Sequence, residues 1–376
     1  MEGGRTMRIT LLARVTVLCA GVALAQGSPT PRFQGLGDLP GDIFGSHALG
    51  VSADGKVAVG WSGSDQGQHA FRWTQETGMV GLLFNVNRSY AVAASADGSV
   101  VVGSMSADAP WMAFRWELGS DHNPMFLGPD YARPGYARGV SADGSVVVGY
   151  GVLAGQAQSE AYRWTAAEGA VPLGGAGSSE AHDCSADGSV VVGYSDDRPF
   201  RWTQEGGLQE LGHLGGGARL GTAYAVSADG SVVAGADFSD HGLEAFRWTE
   251  IGGMVGLGDL SGGQFFSRAW DLSADGSVAV GLANSDLGEE AFIWDELHGM
   301  RRRRDVLEDE CGLDLGAWTL AEARGVSADG NTIVGWGYNP VGDTEAWIAT
   351  IPEPATLSLL AMGGALALLR RRSASS

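Results

Sequence analysis

Short apolar runs recur along the chain, and glycine-rich polar stretches separate them. The stretch SADGSVVVG at 141–149 is one example, and near-copies begin at Ser52, Ser95, Ser185, Ser227, Ser273 and Ser327. Apolar runs of about four to eight residues between turn residues are typical of strands buried on both faces. The copies lie 42 to 54 residues apart, which is close to the period of a β-propeller blade.

Two further motifs follow each SADG copy. The first is aromatic: AFRW at 70–73, 113–116 and 245–248, AYRW at 161–164, PFRW at 199–202, AFIW at 291–294 and AWIA at 346–349. The second is clearest in GGMVGLGDL at 252–260. The fifth repeat thus predicts strands at 222–227, 231–238, 244–249 and 254–260. Four short antiparallel strands per repeat indicate an all-β propeller.

The ADG triplet predicts a tight turn between the first two strands of each repeat. An aspartate accepts hydrogen bonds from nearby backbone N–H groups, and a glycine adopts positive φ without strain. These structural turn pairs are Asp54 and Gly55, Asp97 and Gly98, Asp143 and Gly144, Asp187 and Gly188, Asp229 and Gly230, Asp275 and Gly276, and Asp329 and Gly330. A catalytic acid repeated seven times has no chemical purpose, since one active site needs one acid and one base.

The two ends of the repeat array complement each other. The seventh repeat lacks a fourth strand, whereas FQGLGDLPG at 33–41 precedes the first SADG and matches MVGLGDLSG at 254–262. We therefore predict a seven-bladed propeller whose ring is closed by the N-terminal strand (33–39) completing the last blade. An insertion at 301–318 is predicted to form two helical turns that end near Gly312.

Composition supports a folded, acidic body. The 376 residues are 44% hydrophobic and 18% charged, and the 60 glycines fall at fixed places in the repeat. The formal net charge is −20, which disfavours nucleic acid and anionic membrane surfaces as partners. Cys184 and Cys311 are the cysteines of the body, and their spacing leaves open whether they pair.

Both ends of the chain resemble targeting segments. Residues 1–25 are predicted to form a signal peptide with basic and apolar parts, and cleavage after Ala25 would leave Gln26 first. Residues 351–376 contain Pro352, Glu353 and Pro354, an apolar run predicted to form a short helix, and three arginines. This order resembles the PEP-CTERM sorting signal. The resemblance implies a Gram-negative-type bacterium, transient membrane anchoring through the C-terminal helix, and processing by signal peptidase and an exosortase-type enzyme.

The body at 26–350 resembles the extracellular HAF-repeat family. The literal triplet is His69-Ala70-Phe71, and the other repeats keep the aromatic residue but change the first one. The resemblance implies an exported repeat protein at the cell-envelope surface or in the extracellular matrix. It implies no particular reaction.

Residues that the repeat does not explain are the candidates for ligand contact. The repeated FRW aromatics are expected in the core between blades, with sugar stacking as the alternative. The irregular aromatics lie in or beside connections, where function concentrates: Trp111, Tyr131, Tyr136, Phe265, Phe266 and Trp318. His182, Asp183 and Cys184 are expected to alternate between strand faces. The arginines at 301–304 are expected on a solvated edge, with anionic polysaccharide as the alternative.

The sequence predicts a non-enzymatic interaction or structural module, with exopolysaccharide as a candidate partner and no catalytic residue, cofactor or metal site. The alternative is an extracellular glycan lyase or hydrolase. An enzyme would bring unrepeated Asp, Glu, His or Tyr groups with shifted pKa values together at one central pocket. A binding module would show a rim of exposed aromatics. A wall component without a ligand remains a third alternative.

Overall fold

A computed structural model describes residues 30–41, 44–82, 86–106, 111–120, 124–127, 131–153, 158–175, 177–216 and 220–351, with the backbone alone at 131–134 and 153. The described residues belong to one compact unit of the chain. The predicted processing positions Ala25, Gln26, Pro352, Glu353 and Pro354 lie outside the described residues.

Each repeat folds into antiparallel strands in chain order. The first strands are β2 (Ser46–Val51), β6 (Arg88–Ala94), β10 (Tyr131–Val140), β14 (Ser179–Cys184), β18 (Thr222–Val226), β22 (Gly262–Leu272) and β26 (Thr319–Val326). The second strands are β3 (Val57–Ser64), β7 (Val100–Ser106), β11 (Val146–Leu153), β15 (Val190–Ser195), β19 (Val232–Ser239), β23 (Val278–Ser285) and β27 (Thr332–Tyr338).

The third strands carry the aromatic motif: β4 (Gly67–Thr74), β8 (Met112–Glu117), β12 (Glu160–Thr165), β16 (Arg198–Thr203), β20 (Gly242–Thr249), β24 (Gly288–Asp295) and β28 (Thr344–Thr350). The fourth strands are β5 (Gly78–Gly81), β9 (Met125–Phe126), β13 (Gly169–Pro172), β17 (Gly207–Glu210), β21 (Gly253–Gly256) and β25 (Gly299–Arg302). Five sheets have four strands, and an eight-stranded sheet joins repeats 1 and 2 through one parallel pairing, Gln68 with Arg88.

The strand β1 (Arg32–Gly35) completes the sheet of repeat 7. It pairs antiparallel with β28, from Arg32 opposite Thr350 to Gly35 opposite Trp347. The strand is shorter than the predicted 33–39, because Gly37 turns the chain at φ 72° and donates its N–H to the Glu345 carboxylate.

The predicted fourth strand of repeat 5 is too long for the same reason. β21 ends at Gly256 instead of at residue 260. Gly258 has φ 80°, and its N–H donates to Glu244 Oε1. The GLGDL segments therefore combine a strand end with a glycine turn, and the carboxylate before the Ala-Phe or Ala-Trp pair holds that turn.

The ADG turns have the predicted geometry. All seven glycines have φ between 66° and 76°. In repeat 4, Asp187 Oδ1 accepts hydrogen bonds from Ser185 Oγ and from the Ser189 N–H. A side chain at these glycines would also meet the preceding repeat: a Cβ on Gly188 would lie 2.6 Å from Val146 Cβ. Glycine is required here by both backbone conformation and close approach.

Hydrophobic clusters fill the space between successive repeats. One cluster packs Val57 and Ala70 of repeat 1 against Val101 and Phe114 of repeat 2. Another packs Phe71 of repeat 1 against residues of repeat 7, including Ile348. The first aromatic side chain of the aromatic motif is at most 1% exposed in the seven repeats, including Trp347 in repeat 7. The expectation that these aromatics form core is confirmed, and His69 of the HAF triplet is also fully buried.

The arginine of the FRW motif links neighbouring repeats, a role that the sequence analysis missed. Its Nε donates to the carbonyl oxygen of the next ADG glycine over 2.9–3.1 Å in five repeats. The donors are Arg72, Arg115, Arg163, Arg201 and Arg247. Repeats 6 and 7 have Ile293 and Ile348 at this position.

The insertion forms a short α-helix, α1 (Arg303–Asp305), and a π-helical turn (Val306–Glu310), and Gly312 follows at φ 69°. Arg301 pairs with Glu310, and Arg304 with Glu308, as expected for a solvated edge. The expectation is wrong for Arg303, which is 1% exposed because the insertion folds onto the core beside Leu307.

Candidate ligand-binding cavity

A cycle of backbone hydrogen bonds connects the SADG loops of the seven repeats. The N–H of Ala96 donates to the carbonyl of Ala142, and the same bond links Ala142 to Ala186, Ala186 to Ala228, Ala228 to Ala274, Ala274 to Ala328 and Ala328 to Ala53. The Asp54 N–H donates to Ala96 and completes the cycle, with all distances between 2.8 and 3.2 Å. These loops surround one end of a cavity of about 440 Å³.

The first strands of all seven repeats line this cavity. Each carries a β-bulge after its central alanine, for example between Ala181 and Asp183. The extra residue of each bulge borders the cavity: Leu49, Val92, Arg138, His182, Tyr224, Trp270 and Arg324. Bulges re-aim side chains, and here they turn a residue that has no repeat-wide identity towards the cavity.

Two other positions of the repeat, one in the first strand and one in the second, also differ between repeats. The position five residues before the SADG serine holds His47, Tyr90, Tyr136, Glu180, Thr222, Arg268 and Glu322. The position nine residues after it holds Trp61, Ser104, Tyr150, Tyr194, Ala236, Leu282 and Trp336. In contrast, the residues four before and one after the serine are alanine in every repeat. The alanine after the serine surrounds one end of the cavity in every repeat, whereas the bulge residues that border the cavity differ between repeats.

Aromatic side chains form a continuous row beside the cavity. The ring centroids of His47 and Trp61 are 4.3 Å apart, and those of Tyr90 and Trp111 are 5.1 Å apart. The row runs in the order Trp336, His47, Trp61, Tyr90, Trp111, Tyr136 and Tyr150, with neighbouring centroids 4.3–6.1 Å apart. Most of these rings border a second cavity of about 470 Å³, which shares Arg138 and Arg324 with the first.

Three arginines lie against aromatic faces here. The Arg324 guanidinium carbon is 4.0 Å from the Trp270 ring centroid, and that of Arg268 is 4.8 Å from it. The Arg138 guanidinium lies over the rings of Tyr136 and Tyr150. Burial, together with repulsion from Arg138 and Arg268, lowers the pKa of Arg324, which also pairs with Glu322 at 3.4 Å.

Two half-buried aspartates bridge neighbouring repeats across the cavity wall. Asp183 accepts hydrogen bonds from the N–H groups of Cys184 and Val226, and Asp271 accepts them from Leu272 and Val326. Burial raises the pKa of Asp183 to about 8 and that of Asp271 to about 7, despite these bonds.

Neighbouring imidazole, carboxyl and phenol groups also have shifted pKa values. Burial lowers the pKa of His182 to about 3 and that of His47 to about 4. Burial raises the pKa of Glu180, and burial with nearby Glu180 raises that of Tyr194. These shifts reduce the charge that the imidazoles and aspartates of the cavity wall carry near neutral pH.

The structure brings Trp111 and Tyr136, two predicted ligand residues, into the aromatic row. Phe266 lies 5.6 Å from the Arg268 guanidinium, while Phe265 contacts His241. Trp318 lies elsewhere, packed edge-on against Phe33 at 5.3 Å. For Tyr131 the structure describes the backbone alone.

The expectation that His182, Asp183 and Cys184 alternate between faces is wrong. The bulge in β14 interrupts the alternation, so all three border the cavity. Cys184 is also buried in the core, and both Cys184 and Cys311 are free. Across the described ranges, no cluster of three His, Cys, Asp or Glu side chains is placed to hold a metal ion.

Neither a family model nor a curated protein matches the sequence. Solved structures do. Oligogalacturonate lyase from Vibrio parahaemolyticus is 12% identical over 86% of this chain and 98% of its own, with a TM-score of 0.55. A manganese complex of oligogalacturonate lyase, also 12% identical, covers 87% and 98% with a TM-score of 0.53. The described body is a β-propeller.

TolB from Acinetobacter baumannii is also similar, at 14% identity and a TM-score of 0.47. The match covers 66% of this propeller chain and 60% of TolB. At such identities the likeness concerns the fold and leaves the activity open. No helix within the described part of the propeller chain has the length and apolarity to cross a bilayer.

Proposed function

We propose that this protein is an exported, non-enzymatic seven-bladed propeller that binds a saccharide at the cavity described above. The observation that carries the proposal is the distribution of variation. Positions that build the turns and the core keep the same or a similar residue in most repeats, whereas the bulge residue that borders the cavity differs between most repeats. A ligand site that occurs once needs residues that occur once.

Three observations support seven blades in a closed ring. The loop hydrogen bonds return from Ala328 to Ala53, β1 supplies the fourth strand beside β28, and one hydrophobic cluster joins repeats 7 and 1. Gly55 also approaches Thr332 of repeat 7 as the other ADG glycines approach their preceding repeats. Closure removes free sheet edges.

The aromatic row supports saccharide binding. The C–H-rich faces of sugar rings pack against the electron-rich faces of aromatic rings, and pockets for small ligands combine such surfaces with a few polar groups. His47, Trp61, Tyr90 and Trp336 border a cavity of about 470 Å³ together with Arg138. Exopolysaccharide at the cell surface is the expected source of the ligand.

The proposed location at the cell surface rests on the sequence features of the two termini. Signal peptidase would cleave after Ala25, and an exosortase-type enzyme would process the tail at Pro352–Pro354. Mass spectrometry of the mature protein tests both steps. The proposal predicts Gln26 as the first residue and loss of the arginines at 370–372, and retention of these arginines in the surface form would contradict it.

A glycan array tests the binding function. The purified protein is expected to retain a limited group of saccharides, and the double variant Trp61→Ala with Trp336→Ala is expected to lose them. The matched control is Trp318→Ala, which removes a tryptophan packed on Phe33 outside the row. Equal retention by wild type and the double variant would place binding elsewhere.

A glycan lyase or hydrolase is the second candidate. Glu180, His182, Asp183 and Tyr194 lie at or beside the cavity and have shifted pKa values, as expected for an enzyme. Of these four, only His182 has no counterpart of the same type at its position in another repeat. Incubation of each retained saccharide with the protein, followed by mass spectrometry, distinguishes the two. Intact saccharide supports the binding module, and shortened products that Glu180→Gln abolishes would establish the enzyme.

A further inference from the structure

The cavity concentrates positive charge in a strongly acidic protein. The chain has 44 acidic and 24 basic residues, yet Arg138 and Arg324 border both cavities and Arg268 lies beside Trp270. Resting on the proposed function, we infer that the ligand is an acidic saccharide whose carboxylate is bound by Arg138 and Arg324 while its sugar ring stacks on the aromatic row.

Arg138 has donor capacity left for a ligand. Its Nη2 donates to Tyr150 Oη at 3.2 Å. Its Nε is buried, and no hydrogen-bond acceptor for it lies within the described residues. The side chain as a whole is half-buried and borders both cavities, and a planar carboxylate matches the fork of its N–H groups. An acidic ligand can therefore bind the outer N–H groups of Arg138 from the cavity.

Arg324 is held in place from two sides. Its guanidinium rests on the Trp270 ring, and its partner Glu322 also accepts a hydrogen bond from Trp336 Nε1 at 3.1 Å. The contact with Trp270 fixes the plane of the Arg324 guanidinium. Trp336, which begins the aromatic row, and Arg324 both contact the Glu322 carboxylate. Glu322 thus holds the arginine and the first ring of the row in fixed relative positions.

The nearby carboxyl groups oppose an anion only weakly. Asp183 and Asp271 direct their oxygens at backbone N–H groups of the next repeat, and burial raises the pKa of both carboxyl groups so that neither is fully ionised near neutral pH. Glu322 is engaged by Arg324 and Trp336. The arginines therefore dominate the field in the cavity, although the whole protein is anionic.

Calorimetric titration tests the inference with matched probes. The probes are trisaccharides of galacturonate, glucuronate and mannuronate, each as the free acid and as the methyl ester, which keeps the sugar ring but removes the charge. We expect at least one acid to bind about tenfold or more tightly than its ester. Arg138→Gln should remove this preference, and Arg138→Lys should restore part of it.

Two controls separate binding from folding. Arg198→Gln removes an exposed arginine that pairs with Glu210, and it should leave both affinities unchanged. Trp61→Ala should weaken acid and ester by the same factor, because stacking does not depend on the charge. Thermal unfolding of every variant shows that it is folded.

The outcomes distinguish this inference from the function on which it rests. Equal affinity for acid and ester, or an acid preference that persists in folded Arg138→Gln, overturns the anionic ligand and leaves saccharide binding standing. Binding of neutral array saccharides alone has the same meaning. Binding of no saccharide in either assay rejects both.

Discussion

At the residue scale, the repeated aspartates and glycines serve the backbone. Hydrogen bonds from the Ser189 side chain and N–H and from Ser185 lower the pKa of Asp187 to about 2. The carboxylate therefore accepts hydrogen bonds within its own turn. The sequence was enough to predict this role, because the turn is local and depends on three adjacent residues.

Gly188→Ala should destabilise the protein more than Gly207→Ala. Both glycines have positive φ, 66° and 64°, but only a Cβ at residue 188 meets another side chain, Val146. Positive φ costs alanine about 1–2 kcal/mol at either site, and the clash adds about 1–3 kcal/mol. Urea unfolding measures the difference, and equal losses would show that the contact between repeats does not select glycine.

Asp271 should make stability depend on pH. Its pKa is raised to about 7 in the folded protein, above the value of about 3.9 expected when unfolded. The folded state therefore binds more protons between these values, and stability falls as pH rises through this window, by at most about 1.4 kcal/mol per pH unit.

Asp271→Asn tests this dependence. The variant loses one backbone hydrogen bond at every pH but has no proton to release at this site. The stability gap between wild type and variant, from urea unfolding, should be largest near pH 4 and shrink towards pH 7. A gap that widens over this range would show that the carboxyl is ionised in the folded protein.

At the element scale, the sequence predicted the strands well and the cavity poorly. Apolar runs and turn residues mark the four strands of a repeat, since these signals are local. The bulge in each first strand has no such signal, because it depends on how neighbouring repeats meet. Strict alternation therefore placed Asp183 on the wrong face.

Most of the aromatic row was missed for a related reason. Trp61, Tyr90 and Trp336 lie within strands of the repeat, whereas the sequence analysis expected ligand-binding aromatic residues in the connections between strands. An alignment of the seven repeats distinguishes these residues from structural ones, because structural positions keep one residue type in all repeats and these positions vary.

The arginine of the third strand should stabilise contacts between repeats. Arg201 Nε donates to the Gly230 carbonyl at 3.0 Å, whereas Arg198, in the same strand, forms an ion pair with exposed Glu210. Arg201→Met should lower the free energy of unfolding by about 1–2 kcal/mol, and Arg198→Met by less than about 1 kcal/mol. Comparable losses in urea unfolding would argue against the proposed link.

At the scale of the whole molecule, the proposed closure depends on residues far apart in sequence. β1 and β28 are separated by almost the entire propeller, yet they pair over four residues. The sequence allowed this pairing to be predicted because a spare strand at one end matched a missing strand at the other. It did not show where the strand ends, since that depends on the contact between Gly37 and Glu345.

Deletion of residues 30–40 should cause a large loss of stability. It removes β1 and exposes the edge of β28 and the cluster that contains Leu36, and an exposed edge promotes aggregation. A lower melting temperature and increased light scattering are expected. The control deletes residues 26–29, which precede β1, and an unchanged melting profile in the longer deletion would contradict closure.

The central claim is that function resides where the repeats differ. The most direct measurement compares saccharide binding by two folded variants, Trp61→Ala at a varying position and Asp97→Asn at a repeated turn. The account predicts that Trp61→Ala loses most of the affinity, whereas Asp97→Asn keeps it despite a modest loss of stability. Retained affinity in Trp61→Ala together with lost affinity in Asp97→Asn would contradict the claim.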